Sequence, residues 1–241
     1  MSLMLGLVVS GMVVTSFVDD EVEPNTPGKN AEQNTTDVAV TDYVDLGLPS
    51  GTLWATCNIG ATSPEEYGNY FAWGETEPYD KNGKTTFGWS TYKWCNGSPS
   101  TLTKYNTSSS DGTVDNKTEL DLEDDAAYVN WGSKWRMPSQ AQFKELMNSN
   151  YTTTEWTSVN GVNGRLITSK TNGNSIFLPA AGYRGGTSLD YAGVCGYYWS
   201  RTLYTDDPNY AWGLYFISDD VGTGSYPRCS GPSVRPVRLS E

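Results

Sequence analysis

The apolar and polar positions divide the chain into three stretches. Residues 3–17 are an almost continuous apolar run, whereas residues 18–41 are polar and acidic. An apolar run of this length is typical of an export signal and is short for a helix that crosses a bilayer. The polar stretch has too little apolar area to offset the entropy of ordering. We therefore predict a signal-peptide-like segment over 1–17, an acidic polar tether over 18–41 and one folded domain over 42–241.

One helix is predicted from a capping pattern followed by helical periodicity. Ser139 and Gln142 have the spacing of a capping box, in which each side chain accepts a hydrogen bond from the backbone N–H of the other residue. Phe143, Leu146 and Met147 then recur at helical spacing and share one face. We expect this face to pack against the core.

Two further helix starts are predicted. Acidic residues cluster at the beginning of residues 121–129, the positive end of a helix dipole, and Leu122, Ala126 and Val129 share a side. Residues 63–66 read Ser-Pro-Glu-Glu, a second capping-box pattern with proline at the first helical position. This second pattern predicts one or two helical turns.

Asparagine-glycine pairs recur along the domain and predict tight turns, because both residues readily adopt positive φ angles. The pairs are Asn82-Gly83, Asn96-Gly97, Asn160-Gly161, Asn163-Gly164 and Asn172-Gly173. Short antiparallel strands should therefore dominate the domain.

Residues 210–217 alternate as a strand does. The even-numbered residues Tyr210, Trp212, Leu214 and Phe216 fall on one face, and the odd-numbered residues fall on the other. Leu214 and Phe216 are typical of a core. Trp212 is therefore predicted to pack rather than to be exposed, unless a bulge changes the alternation.

The composition argues against several classes of function. The formal net charge is −12, from 28 acidic and 16 basic side chains, which repels a phosphate backbone, so nucleic acid is not expected as a partner. The chain has no histidine, which removes the Ser-His-Asp and Cys-His nucleophile pairs and the commonest zinc ligand. We expect a protein that is not an enzyme, with no catalytic residues and no resident metal or cofactor.

The last third of the chain, over about residues 182–238, is rich in Tyr, Trp, Asn, Asp, Ser and Gly. This composition is typical of a recognition surface, because Tyr and Trp supply rigid contact area and the small polar residues supply adaptable hydrogen bonds. Binding is therefore the function that this part of the sequence predicts.

Six phrases along the domain carry a resemblance to a known family. They are VDLGLPSGTLWATCNIGA at 44–61, YFAWGE at 70–75, WGSKWRMP at 131–138, FLPAAGYR at 177–184, GYYWS at 196–200 and SVRPV at 233–237. In this order they resemble the Fibrobacter succinogenes major paralogous domain of secreted Bacteroidetes proteins.

The resemblance implies an α+β domain with a C-type-lectin-like fold, in its formylglycine-generating-enzyme-like branch. Such a fold has small twisted antiparallel sheets, two main helices and long loops. The tryptophans within the shared phrases are then expected in the core; they are Trp54, Trp73, Trp131, Trp135 and Trp199.

Some members of this group are variable proteins of diversity-generating retroelements, in which adenine-directed mutagenesis changes codons near the C-terminus. The stretch 182–238 resembles such a variable region. The resemblance implies adhesion to a protein or glycan ligand through the C-terminal loops. The ligand-binding residues it implies are Arg201, Tyr204, Asp206, Asp207, Asn209, Tyr210, Trp212, Tyr215, Asp219, Tyr226, Arg228 and Ser230.

The cysteines of an exported chain invite disulfides. Formylglycine-generating enzymes use a closely spaced cysteine pair, and no such spacing occurs here, which supports a function without catalysis. Cys57 lies in a shared phrase and is expected to pack as a small buried side chain, whereas Cys95, Cys195 and Cys229 could be free or paired. The pairing to test first is Cys195 with Cys229.

Calcium-assisted carbohydrate binding is one alternative function. The lectin phrase Glu-Pro-Asn occurs at residues 23–25, but it lies in the tether and no Trp-Asn-Asp follows it. Four acids near residue 121 could bind calcium, although they are more typical of a solvated helix start. The acidic candidates are Asp121, Glu123, Asp124, Asp125 and the pairs Asp206-Asp207 and Asp219-Asp220.

Export predicts a cell-surface or outer-membrane location. The N-terminal segment resembles a bacterial lipoprotein signal, yet Phe17 stands where the lipid-modified cysteine would be. An N-terminal membrane anchor is therefore left open. A structural or pilus-associated surface component is the other alternative function.

Overall fold

The computed structural model describes residues 42–79 and 85–239. The predicted signal segment, the predicted tether and the Asn82-Gly83 turn lie outside the described residues. Among the described helices, none is both long enough and apolar enough to cross a membrane.

Two α-helices and eleven strands form within the described residues. The helices are α1 (Ala126–Trp131) and α2 (Gln140–Leu146), and 3-10 turns lie at Pro99–Thr101 and Leu122–Asp124. The strands are β1 (Tyr43–Asp45), β2 (Thr52–Ala55), β3 (Thr152–Val159), β4 (Val162–Ser169), β5 (Ser175–Pro179), β6 (Tyr183–Gly185), β7 (Ser188–Asp190), β8 (Gly196–Leu203), β9 (Tyr210–Phe216), β10 (Val221–Pro227) and β11 (Val237–Leu239).

The strands make small antiparallel sheets. Three sheets have the strand orders β1-β2-β11, β3-β4-β5 and β10-β9-β8, and β6 pairs with β7. Val237 of β11 lies opposite Trp54 of β2, so the two ends of the described domain meet in one sheet. The predicted α+β class, with short antiparallel strands and few helices, is confirmed.

The sheet of β8, β9 and β10, which we call the C-terminal sheet, has core residues on both faces. On one face, Phe143 and Leu146 of α2 pack in a cluster with Leu214 and Phe216 of β9. On the other face, Ala211 belongs to a second buried cluster. The sheet is therefore held from both sides, which gives side chains at its margins a rigid support.

The tryptophans of the shared phrases are almost all in the core. Trp54, Trp73 and Trp199 are 0% exposed and Trp135 is 4% exposed, as predicted. Trp131, the last residue of α1, is only partly buried, and its ring packs edge-to-face on Trp135 at 5.1 Å.

The helix α2 begins as predicted. The Ser139 hydroxyl oxygen accepts a hydrogen bond from Gln142 N at 3.1 Å, and Gln142 Oε1 accepts one from Ser139 N at 2.8 Å. Phe143 and Leu146 are buried, and Met147 is partly buried against the same cluster. Local sequence was sufficient here because both capping partners lie within one turn.

The second predicted helix is wrong in its start and in its buried face. The α-helix begins only after Asp125, whose carboxylate accepts hydrogen bonds from two backbone N–H groups of the first turn. Because the 3-10 turn before it has a different periodicity, Leu122 does not share a face with Ala126. Leu122 and Val129 are 44% and 48% exposed, whereas Ala126 is buried.

Residues 63–66 form a turn and no helix. Glu66 N donates to Ser63 O at 3.3 Å, and the Glu66 carboxylate accepts from Thr62 N at 2.6 Å. The Glu66 side chain thus accepts hydrogen bonds at the start of the turn, but the helical turns predicted here are wrong.

The asparagine-glycine pairs do not all form turns. Asn160 and Gly161 connect β3 to β4 with φ angles of 49° and 82°, as predicted. Asn163-Gly164 instead lies inside β4, so the turn predicted there is wrong. A Cβ on Gly164 would lie 2.4 Å from Leu178 O of β5, so the glycine permits a close approach of two strands.

Candidate functional site

The C-terminal sheet divides the predicted ligand-binding residues between its two faces. Tyr197 of β8 lies opposite Tyr215 of β9, so their side chains are on the same face. Tyr226 of β10 lies opposite Ala211, which shares that face. Trp212 lies on the other face, as its position in the alternation predicts. The alternation in β9 therefore separates Tyr215 from Trp212.

Four tyrosines surround a cavity of about 340 Å³ on the first face; they are Tyr183, Tyr191, Tyr197 and Tyr226. The remaining lining residues are Pro227, Ser230 and Pro232. We call this cavity the tyrosine pocket. Its lining carries no charged side chain, and its volume lies within the range of about 300–1,000 Å³ that small-ligand pockets occupy.

The ring of Tyr197 meets two neighbouring rings of the tyrosine pocket nearly at right angles. The Tyr197 ring centroid lies 5.2 Å from those of Tyr183 and Tyr226, with interplanar angles of 79° and 87°. The Tyr191 ring lies nearly parallel to Tyr183, with centroids 6.2 Å apart, and Tyr215 extends the group at 5.4 Å from Tyr197. Edge-to-face contacts are the favourable geometry for aromatic pairs, so the rings hold one another in place.

Glycines in the C-terminal sheet make room for the Tyr226 ring. Gly213 and Gly224 lie opposite each other in β9 and β10. A Cβ on Gly213 would lie 3.2 Å from Tyr226 Cε2, and one on Gly224 would lie 2.7 Å from the Tyr226 hydroxyl oxygen. The ring therefore lies across the sheet over positions without side chains, instead of projecting away from it.

Tyr191 forms the outer wall of the pocket and follows strand β7. It is 58% exposed and has a φ of +57°, the left-handed region that a tyrosine rarely occupies. Its carbonyl accepts hydrogen bonds from Val194 N at 3.0 Å and Cys195 N at 2.9 Å. These two bonds close a tight turn that holds the Tyr191 ring at the rim.

The hydroxyl groups of Tyr183, Tyr197 and Tyr226 are held as neutral phenols. Burial raises the pKa of the Tyr197 and Tyr226 hydroxyls, and neighbouring Cys195 and tyrosine groups raise both further. Burial and the negative charge of Asp190 raise the pKa of Tyr183. A neutral phenol can both donate and accept a hydrogen bond, so these hydroxyls can serve either role toward a ligand.

Tyr204 and Trp212 lie away from the tyrosine pocket. Their rings meet at 90° with centroids 5.0 Å apart, and the Lys144 ammonium of α2 lies 5.7 Å from the Trp212 centroid. Tyr210 shares the face of Trp212 by the alternation of β9. The structure therefore does not join these residues to Tyr215 and Tyr226 in one surface.

The prediction that Arg228 binds a ligand is wrong, because Arg228 is 0% exposed. Its guanidinium donates to the Tyr92 hydroxyl at 2.9 Å and to the carbonyls of Lys104, Tyr105 and Pro208 at 2.9–3.0 Å. Polar neighbours in the sequence suggested exposure. The arginine instead connects its own segment to the loop at residues 104–105.

Arg201 is half-buried. Its Nε lies 2.8 Å from Glu119 Oε2, and its Nη1 donates to the Met137 carbonyl at 2.9 Å. These contacts attach β8 to the segment before α2. The arginine thus already has partners within the domain.

The loop residues among the predicted set differ in accessibility. Asp206 and Asp219 are exposed, whereas Asp207 and Asn209 are partly buried. Asp207 Oδ1 accepts a hydrogen bond from Asn209 N at 3.0 Å. Ser230 lines the tyrosine pocket, and its hydroxyl donates to Pro227 O at 2.6 Å. Of the twelve predicted residues, Tyr226 and Ser230 line the pocket and Tyr215 adjoins it.

The cysteines Cys57, Cys95, Cys195 and Cys229 are all buried thiols. The Cys195–Cys229 disulfide proposed for testing is therefore not formed. Cys57 packs as a buried side chain, as predicted, and its thiol donates to Ala61 O at 3.3 Å.

The acidic cluster of Asp121, Glu123 and Asp124 surrounds a lysine. Lys104 Nζ lies 2.6 Å from both Asp121 Oδ2 and Asp124 Oδ2, and 3.8 Å from Glu123 Oε1. Asp125, the fourth predicted acid, is buried and caps α1. An ammonium group therefore occupies the position from which a cation would contact these carboxylates.

Calcium is expected to leave the melting temperature unchanged to within about 1 °C, since the ion would have to displace the Lys104 ammonium. Thermal unfolding in calcium chloride and in a chelator measures this directly, because a ligand of the folded state raises its stability. A calcium-dependent rise in melting temperature that Asp124→Asn abolishes would contradict the expectation.

Sequence reasoning missed five lining residues: Tyr183, Tyr191, Tyr197, Pro227 and Pro232. Tyr183 and Tyr197 lie in shared phrases, which were interpreted as scaffold. One signal was present in the sequence. Tyr197 and Tyr198 are adjacent in a strand, so their side chains point to opposite faces of the sheet and both cannot face the same core.

Comparisons of this chain with protein-family models, with curated proteins and with solved structures find no match. The geometry of the tyrosine pocket is therefore the main guide to what the protein does.

Proposed function

We propose that this protein is an exported, cell-surface binding protein with a C-type-lectin-like fold, which recognises a protein or glycan ligand at the tyrosine pocket. The observation that carries the proposal is the convergence of four tyrosine rings and no charged side chain on one cavity of about 340 Å³. Binding is an equilibrium between surfaces, with no covalent step.

The physical basis of the proposal is preorganisation. Aromatic rings that are already locked by edge-to-face contacts lose little conformational entropy when a ligand arrives. Each ring offers an apolar face and a hydroxyl group that can donate or accept a hydrogen bond. The core on both faces of the C-terminal sheet supports the rings, so the pocket is formed before binding.

The proposed ligand surface overlaps the expected variable region but has a different centre. Residues 182–238 include every residue that lines the pocket, which is consistent with the expected C-terminal recognition region and with its diversification by a retroelement. Within that region, the ligand surface is now centred on Tyr183, Tyr191, Tyr197 and Tyr226. Tyr204, Tyr210 and Trp212 are placed outside it.

The test uses a paired substitution and a matched control. The variant Tyr183→Ala/Tyr191→Ala is expected to lose more than about tenfold in affinity for any glycan or peptide that the wild-type protein binds on printed arrays, because it removes two walls of the cavity. Biolayer interferometry on the array hits measures the change.

The control variant is Tyr204→Ala/Tyr210→Ala, which removes the ring that packs on Trp212 and a tyrosine on the same face of β9 as Trp212. Its affinity is expected to stay within about threefold of the wild-type affinity, which is clearly distinguishable from the tenfold loss expected for the pocket variant. Equal losses in both variants, or array binding that survives loss of Tyr183 and Tyr191, would refute the tyrosine pocket as the ligand site.

A further inference from the structure

The tyrosine pocket has the electrostatic character of a cation site. Each tyrosine ring has a negative face that attracts a positive charge placed over it. Tyr197 stands nearly perpendicular to both Tyr183 and Tyr226, and these three rings line one cavity together with Tyr191. Aromatic walls of this kind are used to recognise quaternary ammonium groups such as choline and methylated lysine.

A carboxylate lies beside the pocket wall. Asp190 of β7 is opposite Tyr183 of β6, so their side chains share a face of the β6–β7 hairpin. A Cβ on Gly185 would lie 3.2 Å from Tyr183 Cε2 and 3.5 Å from Asp190 Oδ2. The carboxylate and the ring therefore both lie over the bare Gly185 backbone. The negative charge of Asp190 also raises the pKa of the Tyr183 hydroxyl.

Two further acids follow strand β9, in the turn that leads to β10. Asp219 and Asp220 are exposed in the β9–β10 turn, and together with burial and Cys195 their charges raise the pKa of the Tyr215 hydroxyl. Arg165 Nη2 donates to the carbonyls of Ile217, Ser218 and Asp220 in this turn, so its positive charge offsets these two acids. The negative charge beside the pocket wall is therefore that of Asp190, in a chain with a net charge of −12. An anionic ligand would be repelled, and a cationic one attracted, before contact.

The protein's own lysine and arginine side chains make cation–π contacts with other aromatic rings. Arg184, next to Tyr183 in sequence, lies 3.8 Å from the centroid of Tyr79, and Lys93 lies 4.2 Å from the Trp94 centroid. Among the described residues, the recorded cation–π contacts all use rings outside the tyrosine pocket and Tyr215. No cationic side chain of the described residues therefore competes with an external cation for the pocket tyrosines.

We infer that the tyrosine pocket binds an alkylated ammonium group, with Tyr183, Tyr191, Tyr197 and Tyr226 around its methyl groups and Asp190 as the neighbouring counter-charge. The inference rests on the proposed function and specifies the ligand chemistry of the same site. A methylated ammonium suits an apolar cavity better than a primary ammonium, which is compact and strongly hydrated. The group can belong to a free molecule such as choline or to a trimethyl-lysine side chain of a protein.

The experiment compares choline with its neutral isostere, 3,3-dimethylbutan-1-ol, by isothermal titration calorimetry of the intact protein at constant ionic strength. The two ligands have the same shape and differ in charge. Choline is expected to bind at least about tenfold more tightly than the neutral isostere. The isostere has no positive charge and therefore lacks the cation–π attraction to the desolvated tyrosine pocket. A peptide with trimethyl-lysine, compared with the same peptide carrying unmodified lysine, tests the protein-borne source.

Single substitutions test whether choline binds in the tyrosine pocket. Tyr191 is 58% exposed, so Tyr191→Leu is expected to fold. Tyr191→Leu should weaken choline binding by about tenfold, because it removes the aromatic ring. Tyr191→Phe keeps the ring and should change choline affinity by less than about threefold. Asp190→Asn should weaken choline but not the isostere. The exposed Tyr43, in the sheet β1-β2-β11, supplies the control Tyr43→Leu, which should bind as the wild type does.

The outcomes separate this inference from the proposed function. Equal affinity for choline and the isostere, or choline binding that Tyr191→Leu leaves unchanged, would overturn the ammonium inference. Failure of both choline and the trimethyl-lysine peptide to bind would also overturn it. In each case, an array ligand whose binding depends on Tyr183 and Tyr191 would still support the proposed function.

Discussion

Replacing Arg228 with methionine is expected to lower the free energy of unfolding by about 4 kcal/mol or more, since each buried acceptor left without a donor costs about 1–3 kcal/mol. Four acceptors depend on this guanidinium: the Tyr92 hydroxyl and the carbonyls of Lys104, Tyr105 and Pro208. Methionine fills similar space but donates no hydrogen bond. Denaturation in urea, followed by tryptophan fluorescence, measures the change.

The matched control is Arg201→Met. Arg201 is partly exposed and its ion-pair partner Glu119 is 44% exposed, so this change is expected to cost about 1 kcal/mol. Domains of this kind are stable by only about 5–15 kcal/mol, so Arg228→Met could prevent folding altogether. Tyr92→Phe removes one of the four acceptors and the hydrogen bond from the Tyr92 hydroxyl to Trp73 O, and it is expected to give a folded protein with a smaller loss. Similar stabilities for Arg228→Met and Arg201→Met would show that the buried network contributes little.

Replacing Gly182 with alanine is expected to lower the free energy of unfolding by about 3 kcal/mol and to disturb the tyrosine pocket, because a left-handed backbone costs about 1–2 kcal/mol and overpacking about 1–3 kcal/mol. Gly182 has a φ of +63°, and a Cβ there would lie 2.1 Å from Asp190 O and 2.6 Å from Ala192 N. Both contacts are to backbone atoms, which cannot rotate away. The segment that carries Tyr191 must therefore move.

The control Gly186→Ala separates the two costs. Gly186 has a φ of +57°, but a Cβ there would have no atom within 4 Å. It should therefore show only the conformational cost, about 1–2 kcal/mol. Urea denaturation measures both variants, and ligand binding at the pocket should fall only for Gly182→Ala. Equal effects of the two substitutions on stability and binding would contradict the role of Gly182 in positioning Tyr191.

The comparison of the two arginines near the C-terminus shows why burial is hard to predict. Arg235 is 0% exposed, like Arg228. Its guanidinium donates to Asn58 Oδ1 at 2.8 Å and to the carbonyls of Ala55, Thr56 and Phe177. The acceptors lie far along the chain, so no local pattern distinguishes these arginines from an exposed one.

The sequence by itself determined the features whose partners are close along the chain. The capping box of Ser139 and Gln142, the Asn160-Gly161 turn and the alternation of β9 all formed as predicted. In each case the interacting groups lie within a few residues, so backbone geometry restricts them to one arrangement. The resemblance-based choice of core tryptophans was also correct for four of the five.

The tertiary structure alone decided which tyrosines share a cavity. Tyr183, Tyr197 and Tyr226 come from three strands, and Tyr191 comes from the turn after β7. Strand periodicity assigns each side chain to a face, but only the register between strands selects its neighbours. The same holds for Lys104, whose approach to Asp121 and Asp124 is a contact between separate segments. Such long-range contacts are set by the packing of the whole domain and leave no periodic signal in the chain.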